Sequence, residues 1–598
     1  MLRHHRVVFI ACSLIIATLL TSLLVHQQTS LLLEANAAPT RPTTPVERQL
    51  EPQAEGTSQP THPDEQPTGP TPTVGVEVPP PAPPRAALIE RQRFFYEPDF
   101  YSPQIQAFLE TQAGPLKTYR ATIGNREHSF ADLLSSQTTL YSINPKVVLA
   151  LIEQQSGLLT TSAPSEDQQQ FMLGFRGEDG RRAGWVGQLR WVIRELHHAQ
   201  RDFPSVPDLV YADQTHSPIP PGLTVADYAV MRVLAATTTA SELPGKVDQG
   251  NSSFVATYTR LFGDPRDPVT GWPEPAEPFL SPPMEALHET TSFFDHDTPF
   301  LTQNGSIVTY RGDRDETLSY DGHDGWDYGM LPPEPVLAAA DGTVVFAGNS
   351  DDGCGIAHVV IIDHHNGYRT LYWHLSRATV EAGPIKRGEQ VGIAGSSGCA
   401  TGPHLHFQLQ YLGRDTDPAG WCGPRGGDPW ANHAAGQIST WVWRDAPSPC
   451  SLPKDAIVVD TTDPTFKRLG DGWSEVAQGI GGTALNVISA PTTSSQLTVG
   501  TWRPQLPQSG KYQVLAWVPY VPNGLKDAGT ARYVVGHADG SGDAREIKIS
   551  QVDTANGWAD LGVHDFDPAR RPFVGLTAND REAGNNVWYD AIIWIPVK

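Results

Sequence analysis

The run from His323 to His406 constrains this chain more than any other stretch. It opens with His323-Asp324-Gly325-Trp326-Asp327, carries Leu371-Tyr372-Trp373-His374-Leu375 in its middle and closes with Pro403-His404-Leu405-His406-Phe407. Neutral imidazole nitrogen and ionised carboxylate oxygen, gathered from separated clusters, are good ligands for zinc. The closing cluster continues as Phe407-Gln408-Leu409-Gln410-Tyr411, whose alternation of apolar and polar side chains predicts a strand. Residues two apart on a strand share a face, with alpha carbons about 6–7 Å apart. His404 and His406 then point the same way while Leu405 packs behind, so one can hold a metal and the other can sit about a water's width from it. Val359 to Ile362 and Tyr368 to Trp373 read as strands joined through His365-Asn366-Gly367, where Asn-Gly is a strong hairpin signal. Tyr372 and His374 are expected on one face of the second of these.

These residues resemble the lysostaphin-type zinc endopeptidases, also known as the LytM family. The likeness runs from Leu301 to Trp421. It takes in the H-x-G-x-D opening (His323, Gly325, Asp327), Ala339-Ala340-Asp341-Gly342-Thr343-Val344, the Tyr-x-His-Leu block, and Ser397-Gly398-Cys399-Ala400-Thr401-Gly402 running into His404 and His406. The resemblance implies that His323, Asp327 and His406 are ligands of one zinc ion and that His374 and His404 are the catalytic histidines. All five positions are filled as the family requires. Polar histidines on strand surfaces would explain a lone H-x-H, but not three clusters in this order. His358, His364 and His365 match no motif position and read as strand-end and turn residues. Val336 to Ala347, Gln390 to Ala394 and His406 to Tyr411 are further expected strands, which makes an antiparallel β peptidase domain over residues 301–450.

With 598 residues the chain is too long for one core, and about three folded units are expected. Its 43 Lys+Arg against 66 Asp+Glu give a net charge of -23, without a basic patch interleaved with aromatics, which excludes nucleic acid as a partner. Arg3 and Arg6 precede an apolar run from Val7 to Val25, long enough to span a bilayer. Ala35-Asn36-Ala37 is an A-x-A cleavage pattern, so residues 1–37 read as a signal peptide or, uncleaved, as a membrane anchor. Both readings place the domains outside the cytoplasmic membrane, secreted or anchored at the cell envelope. Cys12 lies too early in the run for a lipoprotein cysteine. Cys354, Cys399, Cys422 and Cys450 remain, an even number in an exported chain, with three possible pairings. Cys354 follows a glycine-rich turn and Cys399 sits in the loop leading to His404, so these two are expected to pair, leaving Cys422 with Cys450.

Residues 38–84 are dense in Pro, Thr, Glu and Gln and read as an extended spacer. Residues 85–263 read as helical. Ile105, Phe108 and Leu109 follow helical spacing, as do Phe130, Leu133, Leu134 and Leu140; Gln188 to His197 and Val225 to Ala235 are further helices. Asn144-Pro145 leads into Lys146 to Ile152 as cap and first helical position. This region resembles the lysozyme-like fold of lytic transglycosylases, whose signature helix enters from Asn-Pro and carries a Glu just before Ser-Gly or a similar pair. Here that place holds Gln155, in Glu153-Gln154-Gln155-Ser156-Gly157. Glycoside cleavage needs a carboxylic acid to protonate the leaving oxygen. Glu153 is about 200° away round the helix. The domain is therefore expected to be an inactive glycan hydrolase that binds glycan or positions its neighbour, or a helical domain without a ligand.

Residues 264–300, rich in Pro and Glu, read as a second linker; His288-Glu289 there lacks the second His of H-E-x-x-H. Residues 451–598 change to short β-type runs at Lys511 to Val518, Ala531 to Val535, Glu546 to Ile549 and Val587 to Ile595, separated by turn residues, as in a β-sandwich. Val459-Asp460, Asp463-Pro464, Trp473, Trp502-Arg503-Pro504 through Gly510-Lys511-Tyr512, Trp558 and Tyr589-Asp590-Ala591-Ile592 resemble the golvesin carboxy-terminal, xanthan-lyase-type domain. The resemblance implies a carbohydrate- or surface-binding module, with Trp473 and Trp558 serving either in the core or as sugar platforms.

The expected architecture is multidomain: an all-α lysozyme-like domain, an antiparallel β peptidase domain and a C-terminal β-sandwich. The expected function is a zinc endopeptidase acting on peptidoglycan peptides, with glycan contact through the flanking domains and membrane contact only through the amino-terminal segment if it is retained. Two alternatives are a catalytically inactive wall-binding or regulatory protein, marked by lost zinc ligands, and a glycan-cleaving enzyme using the helical domain.

Overall fold

In this computed structural model the chain is described for residues 77–81 and 86–597, apart from 124–125, 178–181, 204, 206–207, 298–305, 316–321, 352–354, 425–426, 492–496, 538–543 and 581–582. The targeting segment, most of the first spacer, and Cys354 with its expected partnership to Cys399 lie outside the described residues. Among the described residues no helix is long and apolar enough to cross a membrane.

Three helices of the amino-terminal region position the rest: α1 (Phe130–Leu140), α2 (Pro145–Ser156) and α3 (Trp185–Asp202). Asn144 caps α2 by accepting from the Lys146 amide at 2.9 Å, Pro145 takes the first helical position, and Gly157 ends the helix at φ +66°. With Val225–Ala235 and Phe254–Phe262 these helices bury Leu134, Val148, Ile152, Val192 and Leu234 completely. The all-α expectation needs correcting. Two antiparallel hairpins, Arg120–Ile123 with Arg126–Ser129 and Asp208–Val210 with His216–Pro218, join the helices. Strands of three or four residues, mostly polar, carry too little periodicity to be read from sequence.

The peptidase region is built on one antiparallel sheet. Its strands are β1 (Thr290–Ser292), β2 (Trp326–Tyr328), β3 (Gly342–Asp351), β4 (Ile356–Asp363), β5 (Tyr368–Leu375), β6 (Gly383–Ile385), β7 (Leu405–Tyr411) and β8 (Arg414–Asp415). They lie in the order β6-β3-β4-β5-β7-β2-β1, with β8 on β7. The strand expected over Val336 to Ala347 is two: Pro335–Leu337 leaves for a separate three-stranded sheet, and β3 starts only at Gly342. Register between β5 and β7 pairs Arg369 with Gln410, Leu371 with Gln408 and Trp373 with His406. Directly opposed residues share a face, so this row forms one surface of the sheet. Tyr372 and Phe407 pack together on the other surface, in the core.

Residues 264–297, expected as part of a linker, pack on the sheet. Phe279 and Leu280 donate their amides to the Val442 carbonyl, β1 pairs with β2, and Phe293, Phe294, Asp295 and His296 are fully buried. A Pro- and Glu-rich composition concealed four apolar side chains that dock on the sheet while the extended backbone pairs along its edge.

The helical region covers one end of the sheet surface just described. Leu140 packs with Phe346, Val359, Ile361 and Leu371, and Arg369 donates to the Tyr101 hydroxyl at 2.6 Å while Tyr101 bonds Asp363. Residues 457–597 form two larger antiparallel sheets about a shared core of Trp502, Val514, Tyr533, Leu576 and Trp594. The run Val587 to Ile595 divides at Asp590 into Asn586–Tyr589 and Ile592–Pro596, which enter different sheets. Trp558 is buried against Trp517, and its indole donates to the Pro447 carbonyl. Cys422 and Cys450 are joined by a disulfide, with alpha carbons 5.3 Å apart.

Candidate metal centre

The H-x-G-x-D segment delivers His323 from the turn before β2 and Asp327 from β2 itself, and Asp327 lies directly opposite His406 of β7. Gly325 is required at this crossing: a Cβ there would stand 2.8 Å from the His406 ring and 2.7 Å from the Phe407 carbonyl. The His323 Nε2, Asp327 Oδ1 and His406 Nδ1 atoms form a triangle with edges of 3.1, 3.0 and 3.0 Å. Among the described residues it is the one group of three or more His, Cys, Asp or Glu side chains able to converge on an ion. Tetrahedral bonds of about 2.0–2.1 Å imply ligand separations of about 3.3 Å, close to these edges.

The outward atoms of the two imidazoles decide which nitrogen is offered inward. His323 Nδ1 faces the Phe293 carbonyl at 2.7 Å, which can only accept, so Nε2 keeps its lone pair. His406 Nε2 faces Asp324 Oδ1 at 3.3 Å, so Nδ1 is its ligand atom. Burial works to lower the His406 pKa, but the Asp324 and Asp327 carboxylates outweigh it and raise it to about 10. Burial likewise works to raise the Asp327 carboxyl, and the His323 and His406 rings hold it well below the usual range. Nitrogen, nitrogen and carboxylate oxygen, buried and turned inward, fit a zinc ion.

His374 and His404 stand beside this triangle, their rings 4.7 Å apart. His374 Nδ1 donates to the Ser397 carbonyl at 2.8 Å and His404 Nδ1 to the Gly402 carbonyl at 2.9 Å, leaving both Nε2 atoms for the site. His404 Nε2 is 3.8 Å from Asp327 Oδ1. Burial, with the neighbouring His406 and His404, pushes the His374 pKa down to about 3, so this ring is neutral. The expectation that Tyr372 and His374 share a face fails. His374 adopts a left-handed φ of +58°, which breaks the strand's alternation and turns its ring towards His404 and His406, while Tyr372 stays in the core.

The structure thus brings His323, Asp327, His374, His404 and His406 together. Sequence reading missed the groups behind them: Asp324 and the Phe293 and Ser397 carbonyls. Asp324 adjoins His323 in sequence, but its contact with His406 depends on the β2–β7 register. His358, His364 and His365 bond Asn349, Thr370 with the Asp341 carbonyl, and Thr343, respectively, away from the site.

Residues 87–275 match the family model for the LasA N-terminal domain, residues 321–418 that for peptidase family M23, and residues 457–594 that for the golvesin C-terminal domain. The DD-carboxypeptidase/endopeptidase Mpg of Neisseria meningitidis serogroup B is 41% identical over 96 residues, 16% of this chain and 22% of that protein. Protease LasA of Pseudomonas aeruginosa is 26% identical over 320 residues, 51% of this chain and 71% of that protein. The catalytic domain of lysostaphin from Staphylococcus simulans is 35% identical over 17% of this chain and 77% of that one, with a TM-score of 0.15. The chain spans 22% of the length of the first curated relatives it matches.

Proposed function

We propose that this chain is a zinc-dependent endopeptidase that hydrolyses peptide bonds in peptidoglycan cross-links or bridges, outside the cytoplasmic membrane. The observation that carries the reading is the convergence of His323 Nε2, Asp327 Oδ1 and His406 Nδ1 beside the rings of His374 and His404, whose Nδ1 atoms are held by backbone carbonyls. The M23 match over this segment, and relatives named DD-endopeptidases, supply the substrate class.

His323, Asp327 and His406 would hold one zinc ion. A zinc ion with three protein ligands supplies Lewis acidity, which polarises a peptide carbonyl and lowers the pKa of water. The chain's own residues move the proton. No H-E-x-x-H glutamate is present, and the neutral His374 accepts a proton only near its pKa of about 3. His404 is then the base: its Nε2 takes the proton of the attacking water and returns it to the leaving amine. The His374 Nε2 lone pair accepts a hydrogen bond from the same water and orients it.

The flanking domains are read as accessories, the helical domain over 85–263 binding glycan or positioning the peptidase, and the domain over 451–598 contacting carbohydrate or the cell surface. Trp558 is excluded as a sugar platform by its burial. Metal analysis of the purified protein, combined with product analysis on cell walls, tests the reading. Stoichiometric zinc with newly released free amines is expected. Released reducing ends would instead make it a glycosidase, and release of neither would make it a binding protein.

A further inference from the structure

Behind His406 runs a line of hydrogen bonds that ends in another domain. Its Nε2 lies 3.3 Å from Asp324 Oδ1, on a carboxylate whose side chain is 37% exposed. The Gln408 amide nitrogen donates to Asp324 Oδ2 at 3.4 Å and to Asp415 Oδ1 at 2.6 Å. The orientation of that amide is fixed independently, because its oxygen accepts from the Trp373 indole at 3.1 Å and an indole N–H can only donate. Asp415 Oδ1 also accepts from Gln410 Nε2 at 3.1 Å, and Gln410 Nε2 donates to the Thr139 carbonyl of α1 at 3.1 Å. Gln408 and Gln410 are buried. They follow His406 at the strand period of two, on the sheet surface that the helical region covers at its far end.

We propose that Asp324 is a positioning residue, which fixes the His406 ring with Nδ1 inward and so sets the affinity of the centre for zinc. We further propose that the line through Gln408, Asp415 and Gln410 makes this affinity depend on the seating of the helical domain. The chemistry is that of a metal-bound imidazole whose other nitrogen donates to a carboxylate: the partner selects the tautomer and restrains the ring. Without it His406 can rotate, or protonate Nδ1, and the ligand atom is lost. The row of polar side chains would otherwise be a poor choice for a surface buried beneath a domain, since buried amides need partners, and Gln410 keeps its place although its amide oxygen finds none.

The inference rests on the zinc peptidase reading, and its test separates the two. Zinc dissociation constants are measured by chelator competition on the full chain and on Asp324→Asn, Asp324→Ala and Gln410→Leu, together with thermal melting of the metal-free proteins. Loss of such an outer partner weakens metal binding about 10–100-fold. Asp324→Ala is expected near the upper end and Asp324→Asn, which keeps an acceptor oxygen, near the lower. Gln410→Leu is expected to fall between wild type and Asp324→Asn, and metal-free melting should be unchanged in the Asp324 variants. A wild-type chain that binds no zinc overturns the peptidase reading itself. Tight zinc binding by wild type with an equal constant in Asp324→Ala overturns the positioning role alone, and so does weakening that merely tracks lost melting. A Gln410→Leu constant equal to wild type overturns the coupling to the helical domain.

Discussion

The end of α2 and the sheet surface at His406 are both places where a sequence pattern nominates hydrolytic chemistry, and folding treats their polar atoms in opposite ways. On the sheet, each imidazole turns one nitrogen to a protein oxygen and leaves the other facing a common point. At the helix end the two nominated side chains are turned to local partners. The Glu153 carboxylate accepts from the Leu159 amide at 3.0 Å and the Thr160 hydroxyl at 2.7 Å, and pairs with Arg260 at 3.0 Å. The Gln155 amide donates to the Thr237 hydroxyl at 3.0 Å. Residue type nominates a site, but atoms aimed at a shared point make one. The nearby carboxylate, Glu153, staples a loop to its helix.

The contrast is broken or upheld most strongly by separating His406 from His404. They share a surface, yet only the first offers an atom to the triangle. His406→Ala removes one of three ligands, so zinc and activity should both be lost. His404→Ala leaves the triangle intact, so zinc should stay near stoichiometric while activity falls by at least about 100-fold, the scale of a lost general base. Metal analysis of the two proteins beside a cross-linked peptide assay checks this. Equal zinc loss in both would make His404 a ligand and redraw the centre.

How much of this was legible in the sequence follows from the range of the interactions. The α2 cap, the 365–367 hairpin and the H-x-H strand are set by residues within a few positions of one another, and they could be read directly. The left-handed turn at His374 could not, because it answers to the packing of β5 between β4 and β7. Nor could the incorporation of residues 264–297, since Phe293 and His296 gain their roles only from partners far along the chain. Asp324 is the instructive case: its identity was plain, but its function is a matter of register.

A third cluster sharpens the comparison, because it has the residue types of a metal site but both nitrogens of its imidazole are taken by carboxylates. His296 is fully buried, with Nδ1 2.8 Å from Asp428 Oδ1 and Nε2 3.1 Å from Asp417 Oδ2, against the ring of Trp421. Asp417 also accepts from the Trp326 indole, next to Asp327. Burial works to lower the His296 pKa, and the two carboxylates outweigh it, raising it to about 9. A raised histidine pKa stabilises fully below the unfolded value of about 6.5 and is lost as pH rises through the folded value. Burial also raises the Asp417 carboxyl, which acts in the same sense. His296→Ala should cost about 3–5 kcal/mol near pH 6 by leaving buried carboxylates unpaired. The deficit relative to wild type should shrink between pH 6.5 and about 9. Thermal melts across that range read it directly; a deficit constant with pH would mean His296 is neutral in the fold.

Closure of the chain beyond the sheet is a smaller effect and should leave the site's chemistry alone. The Cys422–Cys450 disulfide spans 28 residues, around the segment that carries Asp428. Cys422→Ser with Cys450→Ser should therefore lower stability by about 2–4 kcal/mol. Zinc content should be unchanged, in contrast to His406→Ala. Denaturant unfolding with parallel metal analysis decides it, and loss of zinc in the double variant would show that the centre leans on this closure.

The smallest expected effect lies at the other end of the comparison. If α2 merely lacked a carboxylate, Gln155→Glu would restore one at the signature position, and glycan cleavage would follow. The geometry argues otherwise. The side chain at 155 lies against Thr237 and packs near Gly174, and the Thr237 hydroxyl already donates to the Leu234 carbonyl, so a glutamate there would lose the amide's bond and compete for that proton. An acid of this kind also needs a second group on the opposite face of the sugar ring. The neighbouring carboxylate, Glu153, is bound on the far side of the helix by three donors. Wild type and Gln155→Glu should therefore both release no reducing or anhydro-sugar ends from peptidoglycan, at unchanged endopeptidase rates. Mass spectrometry of the digests is the measurement. Sugar ends released by wild type and abolished by Glu153→Gln would place the helical domain's acid at Glu153, and sugar ends gained in Gln155→Glu would show that the site had lost only its acid.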